Sequence, residues 1–264
     1  DYYILDCYED VALVLTNNDA PNFRLVAVDL NTRVCHDIIP QTEHPLEGVS
    51  TVGNYLFAFY LIDAQNKVLQ YDRKGNLIRE VELPAIGSVG GFDGKREDDH
   101  AYYSVANYTT PGNIYHYDLQ SGKTTLFHAS EVKFDTSDYT TSQLFFTSKD
   151  GTRVPMFVSH KKGLKLNGKN PCYLYGYGGF QINLTPSFST TAAMFMEQGG
   201  IYAQVTLRGG GEYGEKWHKA GMLENKQNVF DDFIAAAEYL IAEGYTSSEK
   251  LAIAGGSNGG LLVG

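Results

Sequence analysis

The chain has 264 residues, with 31 acidic against 21 basic side chains and a formal net charge of −10, and it is long enough for two domains of ordinary size. No block of Lys or Arg interrupts this acidic balance, which repels phosphate backbones and argues against a nucleic-acid partner. No apolar run reaches the roughly 18 residues that a membrane-spanning helix needs, and Asp1-Tyr2-Tyr3 lacks the basic start of a secretory signal. We therefore expect a soluble protein that binds neither nucleic acid nor membrane.

The cysteines are few and widely spaced. Cys7, Cys35 and Cys172 are odd in number and form no pair with metal-like or redox-like spacing. They indicate a reducing, cytoplasmic compartment, with a periplasmic or secreted location as the alternative, and they are expected to be buried thiols. No metal ion and no cofactor are expected.

A strand-like segment containing an aspartate recurs three times in the first half of the chain. The copies are residues 25–30, 68–73 and 114–119. Their aspartates lie 43 residues apart (29 to 72) and then 46 residues apart (72 to 118). Each copy follows a second apolar strand, at 12–16, 55–62 and 101–106, and precedes a turn and a further strand, such as 77–83. Four strands per period of roughly 40–50 residues indicate β-propeller blades, and unrelated β-meanders are the alternative.

Three blades are fewer than a closed propeller requires, because such propellers have about four to eight. Asp1 also enters strand-like sequence almost directly, without a flexible lead. We therefore expect residues 1–130 to form the last part of a propeller within a longer protein.

The pattern changes near residue 131, where a second domain, 131–264, is predicted. Strands are expected at 142–147 and 153–159, joined at Lys149-Asp150-Gly151, and at 171–175, 201–207 and 251–254. Helices are expected at 190–198, between Asn228 as amino cap and Gly244 as stop, and from 261 onward. The apolar face of the middle helix is predicted from Phe230, Phe233, Ile234, Ala237, Leu240 and Ile241. This alternation predicts a mostly parallel sheet covered on both faces.

The last strand leads into Gly255-Gly256-Ser257-Asn258-Gly259, which has the form of a nucleophile elbow. Glycines two residues before and after the serine are needed because a β-carbon would collide in so sharp a turn. Ser257 is therefore the candidate nucleophile. The chance alternative is an ordinary glycine-rich loop.

A serine needs a base, and in α/β-hydrolases the acid and the histidine follow the serine in the chain. None of the seven residues after Ser257 is Asp, Glu or His, so both partners are expected beyond Gly264. His218 precedes the serine and is assigned a structural role. The loop Gly209-Gly210-Gly211 could cradle a phosphate, but it lacks the Lys-Ser/Thr ending of such loops, and helix docking is the preferred interpretation.

From residue 131 onward the sequence resembles the prolyl oligopeptidase family of the α/β-hydrolase clan. The motifs that carry the resemblance are Tyr175-Gly176-Tyr177-Gly178-Gly179-Phe180, Arg208-Gly209-Gly210-Gly211-Glu212-Tyr213-Gly214, Trp217-His218-Lys219, Asn225-Lys226-Gln227-Asn228 and Gly255-Gly256-Ser257-Asn258-Gly259-Gly260. The blades are similar to the last part of that family's propeller. The fold class implied is an incomplete α/β hydrolase preceded by the last part of a β-propeller.

The resemblance also implies roles for four residues. Ser257 is the nucleophile, the Tyr177 hydroxyl and the Asn258 backbone N–H form the oxyanion hole, and Phe180 helps to wall the pocket for the substrate's proline ring. For Tyr177, a core tyrosine at a strand end is the alternative. Asn258 and the Tyr177–Phe180 motif favour the proline-specific branch over oligopeptidase B, which usually has Ala after the serine.

The activity implied is a monomeric serine endopeptidase that cleaves short proline-containing peptides on the carboxyl side of proline through an acyl-enzyme. Cleavage by a clan member of the oligopeptidase B type is one alternative. The other, for these 264 residues alone, is a non-catalytic, propeller-containing fragment.

Overall fold

The computed structural model describes all 264 residues, which divide into two compact units. The first comprises residues 1–105 and 112–130, and the second comprises 106–111 and 131–264. None of the helices is long and apolar enough to cross a membrane.

The first unit consists of three four-stranded sheets that follow one another along the chain. Their strands are β1 (Tyr2–Tyr8), β2 (Val11–Thr16), β3 (Arg24–Asp29) and β4 (Cys35–Ile39); β5 (Leu46–Val52), β6 (Tyr55–Ile62), β7 (Gln65–Asp72) and β8 (Leu77–Glu80); and β9 (Ser88–Gly91), β10 (His100–Asn107), β11 (Thr110–Asp118) and β12 (Thr124–His128). In each sheet the strands lie in sequence order. The structure thus has one four-stranded sheet for each of the three copies seen in the sequence.

The recurring aspartates have a physical role in the turns that follow β3, β7 and β11. The Asp29 carboxylate accepts the backbone N–H groups of the two residues two and three positions later, at 3.0 and 2.7 Å. Asp72 and Asp118 cap their own turns in the same way. Hydrogen bonds to the carboxylate lower the pKa of all three aspartates below its ordinary value. The repeat visible in the sequence is thus a repeat of turn chemistry.

Aromatic rings join the second and third sheets of the first unit. Phe92 stacks at 4.5 Å on Phe57 and at 4.5 Å on Tyr103. The buried Gln70 side chain donates to the Leu119 carbonyl at 2.9 Å and accepts the Tyr117 hydroxyl at 2.8 Å. The nitrogen and the oxygen of the buried Gln70 amide are therefore both hydrogen-bonded.

The second unit is built on one five-stranded sheet in the order β13-β14-β16-β15-β17. Its elements are β13 (Tyr139–Thr147), β14 (Arg153–Lys161), β15 (Cys172–Tyr175), β16 (Ile201–Val205) and β17 (Leu251–Ala254), with helices α1 (Thr190–Glu197), α2 (Glu215–Lys219), α3 (Gln227–Ala242) and α4 (Asn258–Val263). Two 3₁₀ turns lie at Thr136–Asp138 and Leu223–Asn225. Residues 106–111 add Tyr108, whose ring lies 5.9 Å from Phe157 and 5.4 Å from Tyr202.

The prediction of a mostly parallel sheet was wrong. β15 pairs in parallel with β16 and β17, but β13–β14 and β14–β16 are antiparallel. The turn at 149–151 makes β14 antiparallel to β13, and the pairing of β14 with β16, which joins this hairpin to the parallel strands, is antiparallel as well.

Helix α3 departs from its prediction in its cap and in part of its apolar face. Lys226 occupies the amino-cap position, and Asn228 lies inside the helix, where its side chain donates to the Ala220 carbonyl at 2.9 Å. Ile234 and Ile241 are exposed. Gly244 ends the helix with a φ of +74°, as predicted.

Candidate active site

Ser257 lies in a strained turn between β17 and α4. Its backbone has φ +53° and ψ −114°, and its side chain is exposed. Non-glycine residues avoid positive φ because the β-carbon crowds the backbone. The turn therefore presents the hydroxyl outward at a conformational cost, as a nucleophile elbow does.

The glycines around this serine are required by close backbone approach. A β-carbon on Gly255 would lie 2.2 Å from the Gly259 carbonyl oxygen, and one on Gly259 would lie 2.7 Å from the Gly176 carbonyl oxygen. At Gly260, nothing lies within 4 Å of such an atom. The steric prediction is thus confirmed two residues before and two residues after Ser257.

The turn that follows β15 lies against this elbow. β15 and β17 are parallel neighbours, so their carboxyl ends meet at one edge of the sheet. The Asn258 side-chain amide donates to the Tyr177 carbonyl at 2.6 Å. A β-carbon on Gly179 would lie 2.5 Å from that same amide nitrogen, which explains glycine there. The structure therefore brings Ser257, Asn258 and Tyr177 together.

Two hydrogen-bond donors in this region have no acceptor within the chain. Asn258 is the first residue of α4, where the backbone N–H has no intrahelical acceptor. The Tyr177 hydroxyl makes no hydrogen bond within the chain, and its residue is partly buried. Both donors are therefore free to bond a group from outside the chain.

Phe180 follows the same turn and is 75% exposed. Phe180 and Gln181 both have positive φ, +53° and +56°. The Gln181 backbone N–H donates to the Gly209 carbonyl at 3.1 Å and holds this segment on the glycine loop. The exposed ring provides an apolar surface next to the Tyr177–Gly179 turn.

Two family models match the chain: the N-terminal β-propeller domain of prolyl oligopeptidase over residues 1–130, and the prolyl oligopeptidase family over residues 186–264. A prolyl endopeptidase of Elizabethkingia miricola is 47% identical over 264 residues, which are 99% of this chain and 37% of that protein. One of Dictyostelium discoideum is 39% identical, over 100% of this chain and 37% of that protein. A structure solved in a study of two prolyl endopeptidases has a TM-score of 0.91 at 44% identity, covering 99% of this chain and 39% of the other. The chain belongs to the prolyl oligopeptidase family.

The chain thus spans about 37% of the length of the curated prolyl endopeptidases that it matches. The matches extend over both units, so the resemblance inferred from the five motifs and the blades is confirmed. The fold class, the last part of a propeller followed by an incomplete α/β hydrolase, is confirmed with it.

In this prolyl oligopeptidase chain, the arginine that begins the glycine loop is held by two aspartates. The Arg208 guanidinium makes hydrogen bonds of 2.6 and 2.9 Å to Asp232 on α3, and it also bonds Asp150 in the β13–β14 turn. Arg208 is 4% exposed and Asp232 0% exposed. The hydrogen bond from Arg208 lowers the pKa of Asp150 to about 2, and those to both aspartates raise the pKa of Arg208 although burial opposes this.

The glycine loop uses its own N–H groups internally. Gly209 N–H donates to the Trp217 carbonyl and Gly210 N–H to the Leu207 carbonyl. The Gly209 carbonyl lies 2.7 Å from His218 Nδ1, which donates to it. This loop therefore joins α2 to the sheet edge, and His218 holds it there. Neither N–H is free for a phosphate.

Two of the three cysteines contradict their predicted burial. Cys7 and Cys35 are exposed and Cys172 is buried, and all three are free thiols. Cys7 and Cys35 lie on β1 and β4, the two edges of the first sheet, where side chains meet solvent. Burial raises the pKa of the Cys172 thiol to about 12.

One polar residue at the site was missed by sequence reasoning. The Lys226 ammonium lies 2.7 Å from the Gly178 carbonyl and 3.3 Å from Asn258 Oδ1. Its motif, Asn225-Lys226-Gln227-Asn228, is one of those that carry the family resemblance, which implies no role for the lysine. No local pattern marks this lysine, because its partners are 48 and 32 residues away.

Proposed function

We propose that the full-length protein containing this chain is a serine endopeptidase that cleaves short peptides on the carboxyl side of proline. The observation that carries the proposal is the 2.6 Å hydrogen bond that joins the strained Ser257 elbow to the Tyr177 turn. The relatives named prolyl endopeptidase support the substrate class.

In the proposed reaction the Ser257 hydroxyl attacks the carbonyl carbon of a proline residue. The Tyr177 hydroxyl and the Asn258 N–H stabilise the developing oxyanion, and donors of this kind each contribute a factor of roughly 10²–10³ in rate. The tetrahedral intermediate collapses to an acyl-enzyme and releases the amine product, and water then releases the acid. Phe180 offers an aromatic wall that suits the flat, apolar pyrrolidine ring.

The general base and its acid partner are proposed to come from residues of the full-length protein outside these 264. In α/β-hydrolases both follow the serine, and the relatives are longer than this chain. Without a base, the remaining oxyanion site is expected to retain roughly 10³–10⁴-fold catalysis over water.

The domain roles, assembly and compartment are also proposals. Residues 1–130 would act as a filter that admits short peptides, and residues 131–264 would carry the nucleophile. A monomer fits because one chain supplies every group of the oxyanion site. Three free thiols, two of them exposed, favour the reducing cytoplasm.

The test is a fluorogenic peptide with proline before the reporter, assayed on the full-length protein. We expect turnover by the unmodified protein and loss of it in Ser257→Ala. Equal turnover by both would refute the nucleophile assignment. A matched peptide with arginine in place of proline serves as the second substrate, and preferred cleavage there would assign the protein to the oligopeptidase B type.

A further inference from the structure

The side chain of Lys226 contacts Asn258 and the residue that follows Tyr177. Its ammonium donates to the Gly178 carbonyl at 2.7 Å and to Asn258 Oδ1 at 3.3 Å. The same Asn258 side chain donates to the Tyr177 carbonyl at 2.6 Å. The three hydrogen bonds form one connected network that fixes both the Tyr177–Gly178 turn and the Asn258 side chain.

Lys226 is an unexpected residue at this position. It occupies the amino cap of α3 with helical backbone angles and no capping hydrogen bond from its side chain. A cation at a helix amino terminus opposes the helix dipole, and Ser, Thr, Asp and Asn are the residues that cap well. Helix stability therefore does not explain a lysine here.

The charge of Lys226 also lacks a compensating anion. Its two acceptors are a backbone carbonyl and an amide oxygen, no carboxylate of these 264 residues forms an ion pair with it, and the Phe230 ring lies 6.0 Å away. Burial lowers the pKa of this ammonium below its ordinary value. Arg208, by contrast, is buried against the Asp232 carboxylate and also pairs with the exposed Asp150 carboxylate. A structural cation is paired in this way, whereas Lys226 leaves its positive field uncompensated beside the elbow.

We propose that Lys226 is a positioning residue of the oxyanion hole, which sets the Tyr177 and Asn258 donors through its contacts with Gly178 and Asn258. Its uncompensated charge adds a favourable potential for the oxyanion. The proposal rests on the function proposed above. A preorganised cation is most effective where negative charge develops, so its effect falls on the transition state more than on bound substrate.

The test compares Lys226→Met, Lys226→Gln and Lys226→Arg in the full-length protein. Methionine removes the charge and the donors at similar length, glutamine keeps donors without charge, and arginine keeps both. The matched control is Lys250→Met, since Lys250 is exposed and its side chain makes no hydrogen bond or ion pair. Each variant is measured for melting temperature, kcat and KM on the proline peptide, and rate of Ser257 labelling by a fluorophosphonate.

We expect Lys226→Met to lower kcat and the labelling rate by about 10–100-fold, since misplacement of catalytic groups by about 1 Å can cost about 100-fold. KM and the melting temperature should change little, arginine should restore most of the rate, and glutamine should restore less. Binding of a peptide aldehyde, whose adduct with the serine carries the oxyanion, should weaken in parallel with kcat.

Rates within twofold of the unmodified protein in Lys226→Met would overturn the proposal. So would a loss of folding in all three variants, because Lys226 would then be a residue of the fold. The labelling rate needs an activated serine but no proline specificity. If the fluorophosphonate labels the protein but the protein does not cleave the proline peptide, the proposed function is refuted. The labelling rates of the variants then decide the role of Lys226.

Discussion

Removing the Arg208 guanidinium should destabilise the second unit by an amount that the geometry allows to be worked out. In Arg208→Met, the fully buried Asp232 carboxylate loses guanidinium hydrogen bonds of 2.6 and 2.9 Å. It retains the hydrogen bond that it accepts from the backbone N–H of residue 208, at 3.2 Å. A buried ion pair broken on one side costs about 3–5 kcal/mol, because an uncompensated charge remains in the interior. We expect a loss in this range.

The assay is urea unfolding followed by the fluorescence of Trp217, the single tryptophan of the chain. Its indole N–H donates to the Leu207 carbonyl, next to Arg208, so its emission reports on this loop. The double variant Arg208→Met with Asp232→Leu should recover most of the loss, since an apolar pair of similar volume replaces a buried ion pair at little cost.

The control is Lys219→Met, which breaks an exposed i,i+4 pair with Glu215 and should cost no more than about 0.5 kcal/mol. A loss below about 1 kcal/mol for Arg208→Met would refute the reasoning, because burial of an unpaired carboxylate costs more than that. A double variant no more stable than the single one would refute it as well.

Three further predictions concern pH, glycine and thiols. The hydrogen bond from Arg208 lowers the pKa of Asp150 to about 2. The contribution of Asp150 to folding stability is therefore complete above its unfolded pKa, near 3.8, and is lost as pH falls towards 2. In acid titrations, Asp150→Asn should flatten that part of the curve of stability against pH. Gly255→Ala should lower the free energy of unfolding by about 1–3 kcal/mol or more and slow fluorophosphonate labelling of the full-length protein, because its β-carbon meets the Gly259 carbonyl at 2.2 Å. Gly260→Ala, which is unobstructed and lies inside α4, should raise that free energy by up to about 1 kcal/mol. Equal melting temperatures for the two variants would contradict this. In mass spectrometry, a maleimide should modify Cys7 and Cys35 in the native protein and Cys172 after unfolding, since burial shields Cys172 and raises its pKa to about 12; native labelling of Cys172 would show that its site opens.

The parts of this molecule that sequence predicted are those fixed by local chemistry. The blade repeat was visible because each copy needs an aspartate at its own turn, as at Asp29. The elbow was visible because Gly255 and Gly259 are needed by steric contacts within the turn itself and with its neighbour strand. Such requirements leave a short, fixed spacing in the sequence.

The parts that sequence did not predict depend on partners distant along the chain. Strand direction in the second unit follows from the pairing of β14 with β16, which no periodicity encodes. Asparagine caps well, which predicts Asn228 as the cap of α3, yet Lys226 occupies that position and Asn228 lies inside the helix, where its side chain bonds the Ala220 carbonyl. Tertiary contacts overrode local preference at this point.

The strain at Ser257 itself can be measured with two substitutions. Ser257→Ala removes the hydroxyl and keeps a β-carbon at φ +53°, whereas Ser257→Gly removes both. A non-glycine residue in such a region costs of order 1–3 kcal/mol. We therefore expect Ser257→Gly to be more stable than Ser257→Ala by about 1–2 kcal/mol, after the larger backbone entropy of glycine is subtracted.

The sign of this difference is the informative result. At an ordinary helix position such as Ala237, on α3, replacement of alanine by glycine should instead cost about 1 kcal/mol. Thermal unfolding of the three variants would give both differences. If Ser257→Gly is less stable than Ser257→Ala, the turn at residue 257 carries no backbone strain. The claim that the elbow presents its hydroxyl at a conformational cost would then be wrong. If glycine is the more stable one, the chain keeps a serine in a conformation that favours glycine, and selection for its hydroxyl accounts for it.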